Sequence, residues 1–511
     1  MGLIFRPLNP RLIYLAYIAS AVVPAALAIF LVKYCFQADL SSFVPTWNDE
    51  IDYWHEILSF AQNGFSSGYY TIEEIPSALS SVTRFGTHGP LFPMLYGSVA
   101  KFVGWIPSSG PIFNLCALSI AITIFLLLIR ANLYTILLAT ITFVSFWPIQ
   151  IYLPSTMQES THYAIAMVLA GQFYRYIADE KKSKWLLITI PILLFIASLL
   201  RPTWSVLFIP YFILIFRDTP QSKIQIWILG VATLGTFFYA FTLYASPYPN
   251  NFISHFFIVL NSSPTEAVKY FAIHFSSNLV SYFSLQNPLY IEEFLRLQFV
   301  ITVVFGVIIY PRFQEFKSGQ FESVIHIFNL IAPLAIVISL YDVGDWRDCR
   351  VLAPHVLFSI ALLLAQRKVF FCMLIFAVSL LSIPSFFEAY KQLHESHFLN
   401  KEKNVALLQD GVFSVIKYKK DGTPWGNSLL IDMDSLQSFI VSVPAGIGIN
   451  AVLDWNRIQY PLKSAYIFLR PGIYQHISDK VHFQTIASSV LGTLYLNLDS
   501  PANQKEQAKN L

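Results

Sequence analysis

Eleven apolar runs recur along the first 384 residues, at about 12–36, 111–129, 132–152, 160–177, 185–200, 203–216, 223–245, 293–311, 323–341, 350–366 and 368–384. Each is long enough, or nearly so, to cross a bilayer as a helix. A chain built this way can satisfy its backbone only as a bundle of membrane helices. Hydrophobic residues are 55% of the 511 and charged residues only 12%, which excludes a soluble enzyme. The net charge of +3 is small and dispersed, so nucleic acid is excluded as a partner. The run 12–36 is too long and too apolar for a cleaved leader and reads as a retained first span. Cys35, Cys116, Cys349 and Cys372 are scattered and read as packing residues, with Cys35 and Cys349 the one pair placed near the outer surface.

A further run, 91–106, contains Pro93, Gly97, Lys101 and Gly104. The positive-inside rule decides its place. If it lies on the outer surface, Arg6, Arg11, Arg130, Lys181, Lys182, Lys184, Arg217, Lys223, Arg312, Lys317, Arg367 and Lys368 all fall on the cytoplasmic side. If it crosses, every one after Arg11 is turned outward. The predicted fold is therefore a mainly α, polytopic bundle of about eleven spans, with the N-terminus inside and the C-terminus outside. The long polar loops (37–110, 246–292 and the chain after 385) then lie outside, with an amphipathic helix in the first of them.

Residues 1–384 form the predicted transmembrane domain. Residues 385–500 read as a small α/β domain outside the membrane, with short β-type runs such as SLLIDM, SFIVSV, AYIFL and GTLYLNL between Gly-, Pro- and Asn-rich turns. The polar tail 501–511 reads as disordered.

Trp47 to Glu56, WNDEIDYWHE, sets Asp49, Glu50, Asp52 and Glu56 directly after the first span. Acids beside a bilayer are expensive to keep without a task. Asp49, Asp52, Tyr53 and Glu56 share one side of an expected surface helix, which reads as a solvated face or as a carboxylate aimed into a cavity. Trp47, Tyr53, Trp54 and His55 flank the acids as candidate substrate contacts, and their rings suit a membrane interface as well as a sugar face. His88, in THGPLFP, lies on a rigid, bent path at the far end of the same loop, as a structural or a substrate-binding histidine. Glu159 sits at the outer end of the following span, near a helix N-terminus that favours its ionised form; a simple cap is the bland reading. Arg201, and Arg347 with Arg350 in DWRDCR, are cations at outer span ends. They suit lipid headgroups or, through forked hydrogen bonds, a bound phosphate ester.

Together these residues describe an outer-leaflet site with acids for a proton, arginines for phosphate and aromatics for a sugar. The pattern resembles the GT-C class of integral-membrane glycosyltransferases, above all the protein O-mannosyltransferase and lipid A aminoarabinose-transferase group. The Asp-Glu pair of that group is matched by Asp49-Glu50, and its His/Lys-Pro-Pro-Leu element by His88-Gly89-Pro90-Leu91, with Gly for the first Pro. Its second-loop acid is matched by Glu159, where Asp is commoner, and its late arginine by Arg350 before Pro354. The resemblance spans about residues 12–366.

It implies a glycosyltransferase moving a sugar from a polyprenyl-phosphate donor to a glycan, lipid or protein acceptor by inverting single displacement. Asp49 would be the general base, Glu50 a neighbour that helps position substrate or metal, and Glu159 the third catalytic acid. It also implies a multi-pass protein of a bacterial inner membrane with its site and C-terminal domain in the periplasm, in contact with membrane lipids. No metal ligand is assigned. A divalent ion such as Mg or Mn stays open, with Asp49, Glu50, Asp52, His55, Glu56 and Glu159 as the available donors. Two other classes compete. A transporter or flippase for lipid-linked oligosaccharides would place polar groups at mid-membrane. An O-antigen ligase or polymerase would rely on late-loop groups such as His255, Lys269 and His274.

Overall fold

The computed structural model describes residues 10–66, 70–72, 85, 89–179, 183–218, 230, 252–283, 291–310, 317–341, 350–398, 411–420, 424–432, 435, 439–458, 460–489 and 492–510. Helices dominate: α1 (Pro10–Phe36), α2 (Asn48–Asn63), α3 (Leu91–Val103), α4 (Ser109–Leu128), α5 (Leu133–Ser145), α6 (Trp147–Tyr152), α7 (Glu159–Ala178), α8 (Lys184–Leu200) and α9 (Phe208–Asp218). They continue as α10 (Phe252–Ser262), α11 (Pro264–Phe283), α12 (Ile291–Val303), α13 (Lys317–His326), α14 (Ala332–Leu340), α15 (Ala353–Ala365), α16 (Val369–Leu381) and α17 (Ile383–Phe398).

Among the described residues, three helical stretches are long and apolar enough to cross a bilayer: Arg11–Phe36, Ser109–Leu128 and Phe321–Leu340. The pair α16 and α17, bent by 59° at its junction, makes a fourth if counted as one span. The expected eleven apolar runs are thus not eleven continuous helices. Proline is one reason. Phe146 turns to extended backbone ahead of Pro148 and divides the run 132–152 into α5 and α6. Arg201, by contrast, is held extended by Pro202, as a residue before proline prefers, and ends α8 where the run 185–200 is expected to stop. The π turn Val304–Ile309 interrupts the run 293–311, whereas the π turn Ile327–Ile331 lies within the spanning stretch Phe321–Leu340. Almost all of the run 223–245 lies outside the described residues.

The bundle still wears an apolar exterior. Leu15, Phe30 and Tyr34 of α1, and Ile120 and Leu127 of α4, are exposed, as lipid-facing positions require. At the centre α7 packs on α4 and α15, and all 13 residues of α15 are buried. The turns after α4 and α15 place Arg130 (φ 49°) and Arg367 (φ 59°) in the left-handed region. There the Ala131 N–H donates to the Leu126 carbonyl (3.1 Å) and the Lys368 N–H to that of Leu363 (3.2 Å), closing the helix ends. Glycine would be the less strained choice, so arginine at both turns has a reason other than backbone comfort.

The segment 91–106 contains a 13-residue helix, α3, laid along α2. A Cβ at Gly97 would sit 2.8 Å from the Phe60 ring and 3.1 Å from the Ile57 carbonyl oxygen, so only glycine permits this approach.

The C-terminal region holds a six-stranded sheet in the order β1-β3-β2-β4-β6-β5. Its strands are β1 (Tyr70–Ile72), β2 (Ser428–Asp432), β3 (Gly448–Val452), β4 (Tyr466–Leu469), β5 (Phe483–Ser488) and β6 (Thr493–Asn497). β1, β3, β2 and β4 are parallel neighbours, while β6 runs antiparallel to β4 and β5. β2 and β3 are buried throughout, as central parallel strands are. β1 comes from the first outer loop and pairs Tyr70 with Ile449. The sheet therefore draws on both ends of the sequence. The tail expected to be disordered forms a helix over Pro501–Asn510.

Candidate active site

α2 begins where the backbone of Trp47 is extended, and Glu50 reaches back to its N–H (3.3 Å), the second half of a capping box. That cap leaves Asp49 and Glu50 in the first helical turn, about 100° apart around the axis. The two carboxylates accordingly go different ways.

Asp49 is half-buried and forms an ion pair with Arg350, whose Nη2 donates to its Oδ2. Arg350 opens the short turn that leads into α15, and its Nε lies 3.7 Å from Oε1 of Glu159. Glu159 is the first residue of α7, is 1% exposed, and accepts from Arg201 Nη2 at 3.0 Å on the same oxygen. The result is an alternating row, Asp49–Arg350–Glu159–Arg201, built from four separate helix ends. Each charge has an opposite neighbour, which is the condition for keeping ions in so buried a place. Burial works against the Arg350 charge, but Glu159 and Asp49 outweigh it and hold its pKa well above the ordinary value. Glu159 Oε2 and Arg201 Nη1 are buried with no hydrogen-bond partner among the described residues. One acceptor and one donor are thus left over at the inner end of the row.

Tyr53, one turn along α2, lines the same space. Its hydroxyl accepts from Gln158 Nε2 at 2.8 Å. Burial, then the carboxylates of Asp49 and Glu159, push its pKa well up, against the arginines. The phenol stays protonated. Asp52 is only partly covered, yet burial, Glu56 and Asp49 raise its carboxyl well above the usual range.

The turn 153–158 between α6 and α7 forms the floor. Asn114 Nδ2 donates to the Ser155 carbonyl (2.6 Å), and the Tyr96 hydroxyl donates to Asn114 Oδ1 (2.6 Å). Gly110 at the start of α4 lies so close to Thr156 that a Cβ there would be 2.2 Å from Oγ1. Deeper in, Thr203 Oγ1 lies 2.9 Å from His355 Nε2, and Asn329 bonds to both His355 and Ser359. A polar ladder therefore descends from Arg201 between the helices.

Of the sequence-predicted site residues, Asp49, Tyr53, Glu159, Arg201 and Arg350 come together. Glu50 is fully buried and engaged by four protein donors: the N–H groups of Thr46 (2.9 Å), Trp47 (3.3 Å) and Thr156 (2.7 Å), and His397 Nε2 (2.7 Å). Trp47 is turned toward α17, donating from Nε1 to the Leu393 carbonyl (2.9 Å). Trp54 is buried against Trp105, whose indole donates to the Trp54 carbonyl (3.0 Å). His55 is buried against the C-terminal sheet region, its Nε2 2.7 Å from the Ile447 carbonyl oxygen, and burial lowers its pKa to about 4. Packing, rather than substrate, occupies the last two rings. His88 and Arg347 lie outside the described residues, as does Cys349.

The six candidate metal donors do not converge: Glu50 faces His397, His55 faces Ile447 and Glu159 faces Arg201. Among the described residues no three His, Cys, Asp or Glu side chains form a metal-binding group. Sequence reasoning passed over Gln158, Thr203, His355, His394 and His397. Only the last two carried a signal, histidines three apart on one helix face.

No family model matches the sequence, and no curated protein matches it. Two solved structures align along nearly the whole chain. One is the crystal structure of ArnT from Cupriavidus metallidurans bound to undecaprenyl phosphate, with TM-score 0.49 and 10% identity over 94% of this chain and 98% of that one. The other is the apo state of ArnT from Cupriavidus metallidurans, with TM-score 0.47 and 9% identity over 93% and 97%.

Proposed function

We propose that the chain is a glycosyltransferase of the outer membrane face, moving a sugar from a polyprenyl-phosphate donor to a hydroxyl of a glycan, lipid or protein acceptor. The observation that carries this reading is the alternating row Asp49–Arg350–Glu159–Arg201, with an unpartnered guanidinium nitrogen at its buried end. A fixed guanidinium beside apolar helices suits a phosphate on a lipid tail.

In the proposed reaction the donor phosphate takes Arg201 Nη1 and draws Arg350 from Asp49. Asp49 is then free to accept the acceptor's proton. The acceptor oxygen bonds to the anomeric carbon while the bond from that carbon to the phosphate oxygen breaks. The electron pair leaves with the polyprenyl phosphate, whose charge the arginines stabilise. A hydroxyl is far less acidic than a carboxylic acid, so proton transfer accompanies bond formation rather than preceding it. Glu159 keeps the two guanidiniums at one spacing and takes no proton itself. Displacement from the face opposite the phosphate inverts the anomeric centre.

The shorter apolar helices are assigned to broken or tilted crossings, completing about eleven passes with the site and sheet on the periplasmic side. The test is Asp49→Asn, compared with the native chain by mass spectrometry of the cell envelope and by transfer with purified protein. Loss of one glycosyl unit with the fold retained is expected. Normal transfer by Asp49→Asn removes the proposed base.

A further inference from the structure

The four contacts of Glu50 lead to a second cluster, on α17, that the reaction above leaves unused. His394 and His397 lie on one face of that helix, with their Nδ1 atoms 2.9 Å apart. His394 Nε2 lies 2.9 Å from the Ile151 carbonyl oxygen, and His397 Nε2 lies 2.7 Å from Glu50 Oε2. All three side chains are fully buried.

The partners fix the protons. A carbonyl oxygen only accepts, so His394 Nε2 carries hydrogen. Neutral His394 then offers a lone pair at Nδ1, and His397 Nδ1 must donate to it. One contact remains, between His397 Nε2 and a carboxylate whose oxygens already accept from three backbone N–H groups. That line holds one proton, and the three N–H groups on the carboxylate favour its lying on the imidazole side.

The surroundings of His397 agree with a cation. Its ring centroid lies 4.7 Å from the ring of Trp47 and 5.0 Å from that of Phe43. Aromatic faces attract positive charge.

The same surface grips the chain that enters α2. Val44 N–H donates to the His397 carbonyl (3.3 Å), Thr46 Oγ1 lies 2.8 Å from Ser396 Oγ, and Trp47 donates to Leu393. Segment 43–50 is therefore clamped to α17, and Thr156 N–H ties the same carboxylate to the floor of the site. Asp49 is the next residue along.

We propose that His397, oriented by His394, is a positioning residue: through Glu50 it sets the first turn of α2 and hence the reach of Asp49 toward the acceptor hydroxyl. The inference rests on Asp49 acting as the base. Breaking the clamp misplaces the base without touching the arginines, so the chemical step suffers and donor binding does not. A displacement of about 1 Å at a reacting group costs on the order of 100-fold in rate.

The experiment uses full-length protein in lipid nanodiscs with a polyprenyl-phosphate sugar donor. His397→Ala is expected to lower kcat by about 30- to 100-fold while KM for the donor changes less than about 3-fold. His397→Gln, whose amide N–H can still donate to Glu50, is expected to recover at least a third of the native kcat. Histidine nitrogen magnetic resonance of the same protein should show one doubly protonated buried imidazole, absent in Glu50→Gln. Loss of that signal from the native protein, or a His397→Gln variant as slow as His397→Ala, overturns the proposal. A rise in donor KM with kcat intact overturns it too. If Asp49→Asn transfers normally while the imidazolium signal persists, the base assignment has failed, and the positioning role falls with it. The intact signal tells that failure from a failure of the clamp. Should His397→Ala not fold, His394→Asn serves in its place with the same kcat and KM split.

Discussion

The charge row makes a prediction that separates stability from activity. Replacing Arg201 with Met keeps the stem and removes the cation 3.0 Å from Glu159 Oε1. At an effective dielectric near 20, such a pair is worth about 5 kcal/mol before desolvation is counted. Arg350 stays as a second partner, but at 3.7 Å and from a more exposed position. It recovers part of the loss. Breaking a buried pair by removing one member costs about 3–5 kcal/mol, and the remaining arginine argues for about 3. Glu159→Gln errs the other way, leaving two guanidiniums to share Asp49.

The double variant Arg201→Met with Glu159→Gln removes both charges together. If the single losses reflect uncompensated charge, the double should regain at least half of the stability lost by Arg201→Met, a coupling of roughly 1.5 kcal/mol or more. The assay is the apparent Tm of purified full-length protein, followed by size-exclusion fluorescence. The sugar-transfer assay runs alongside and should find the double variant inactive, because Arg201 is lost. The reasoning is refuted if the double variant is no more stable than Arg201→Met, for then the damage comes from packing. It is also refuted if all three variants melt with the native protein.

Three further predictions follow from the geometry. His55 is neutral in the fold, with a pKa near 4 instead of 6.5, so the unfolded chain binds the extra proton between those values and stability falls with acid. From pH 7 to pH 5 the loss is about 2 kcal/mol from this group, and the His55→Gln variant should show a smaller drop in apparent Tm over that interval than the native chain. Gly446 has φ +86°, and a Cβ there would be 2.7 Å from Asn63 Nδ2 and 2.8 Å from the Tyr418 ring; Gly446→Ala should cost about 1–3 kcal/mol and speed protease cleavage between α2 and the sheet. Gly110→Ala drives a methyl group into Thr156 and shifts the floor of the site. Transfer should fall by at least about 10-fold alongside a stability cost of about 1–3 kcal/mol, and unchanged transfer would mean that the turn 153–158 does not shape the site.

What the sequence made legible follows physical cause. Asp49, Glu159, Arg201 and Arg350 were readable because each is a charge at the end of an apolar run, where it must find a partner. The directions of neighbouring side chains were not. α2 is covered by α3 and the turn 153–158 on one side and by the sheet region on the other, so Glu50, Ile51, Tyr53, Trp54, His55, Glu56 and Ile57 are all buried. Burial around so much of the helix erases the periodicity from which one wet face was expected, and with it any way to tell Trp54 and His55 from substrate contacts. The breaks inside the apolar runs were hidden for a different reason. Hydropathy counts Phe146 and the π turn Val304–Ile309 as parts of continuous runs, whereas the backbone there leaves the α-helix. β1 was invisible because three residues in a polar loop carry no strand signal until β3 is beside them.

The attachments of the sheet region converge on one element. β1 follows α2 in the chain and pairs with β3. His55 meets the Ile447 carbonyl, and Ser59 Oγ accepts from the Gly446 N–H at 2.9 Å. At its other end α2 is clamped to α17, the helix from which the C-terminal region departs. α2 is therefore held by the sheet region at one end and by α17 and the turn 153–158 at the other, which fixes Asp49 beside Arg350.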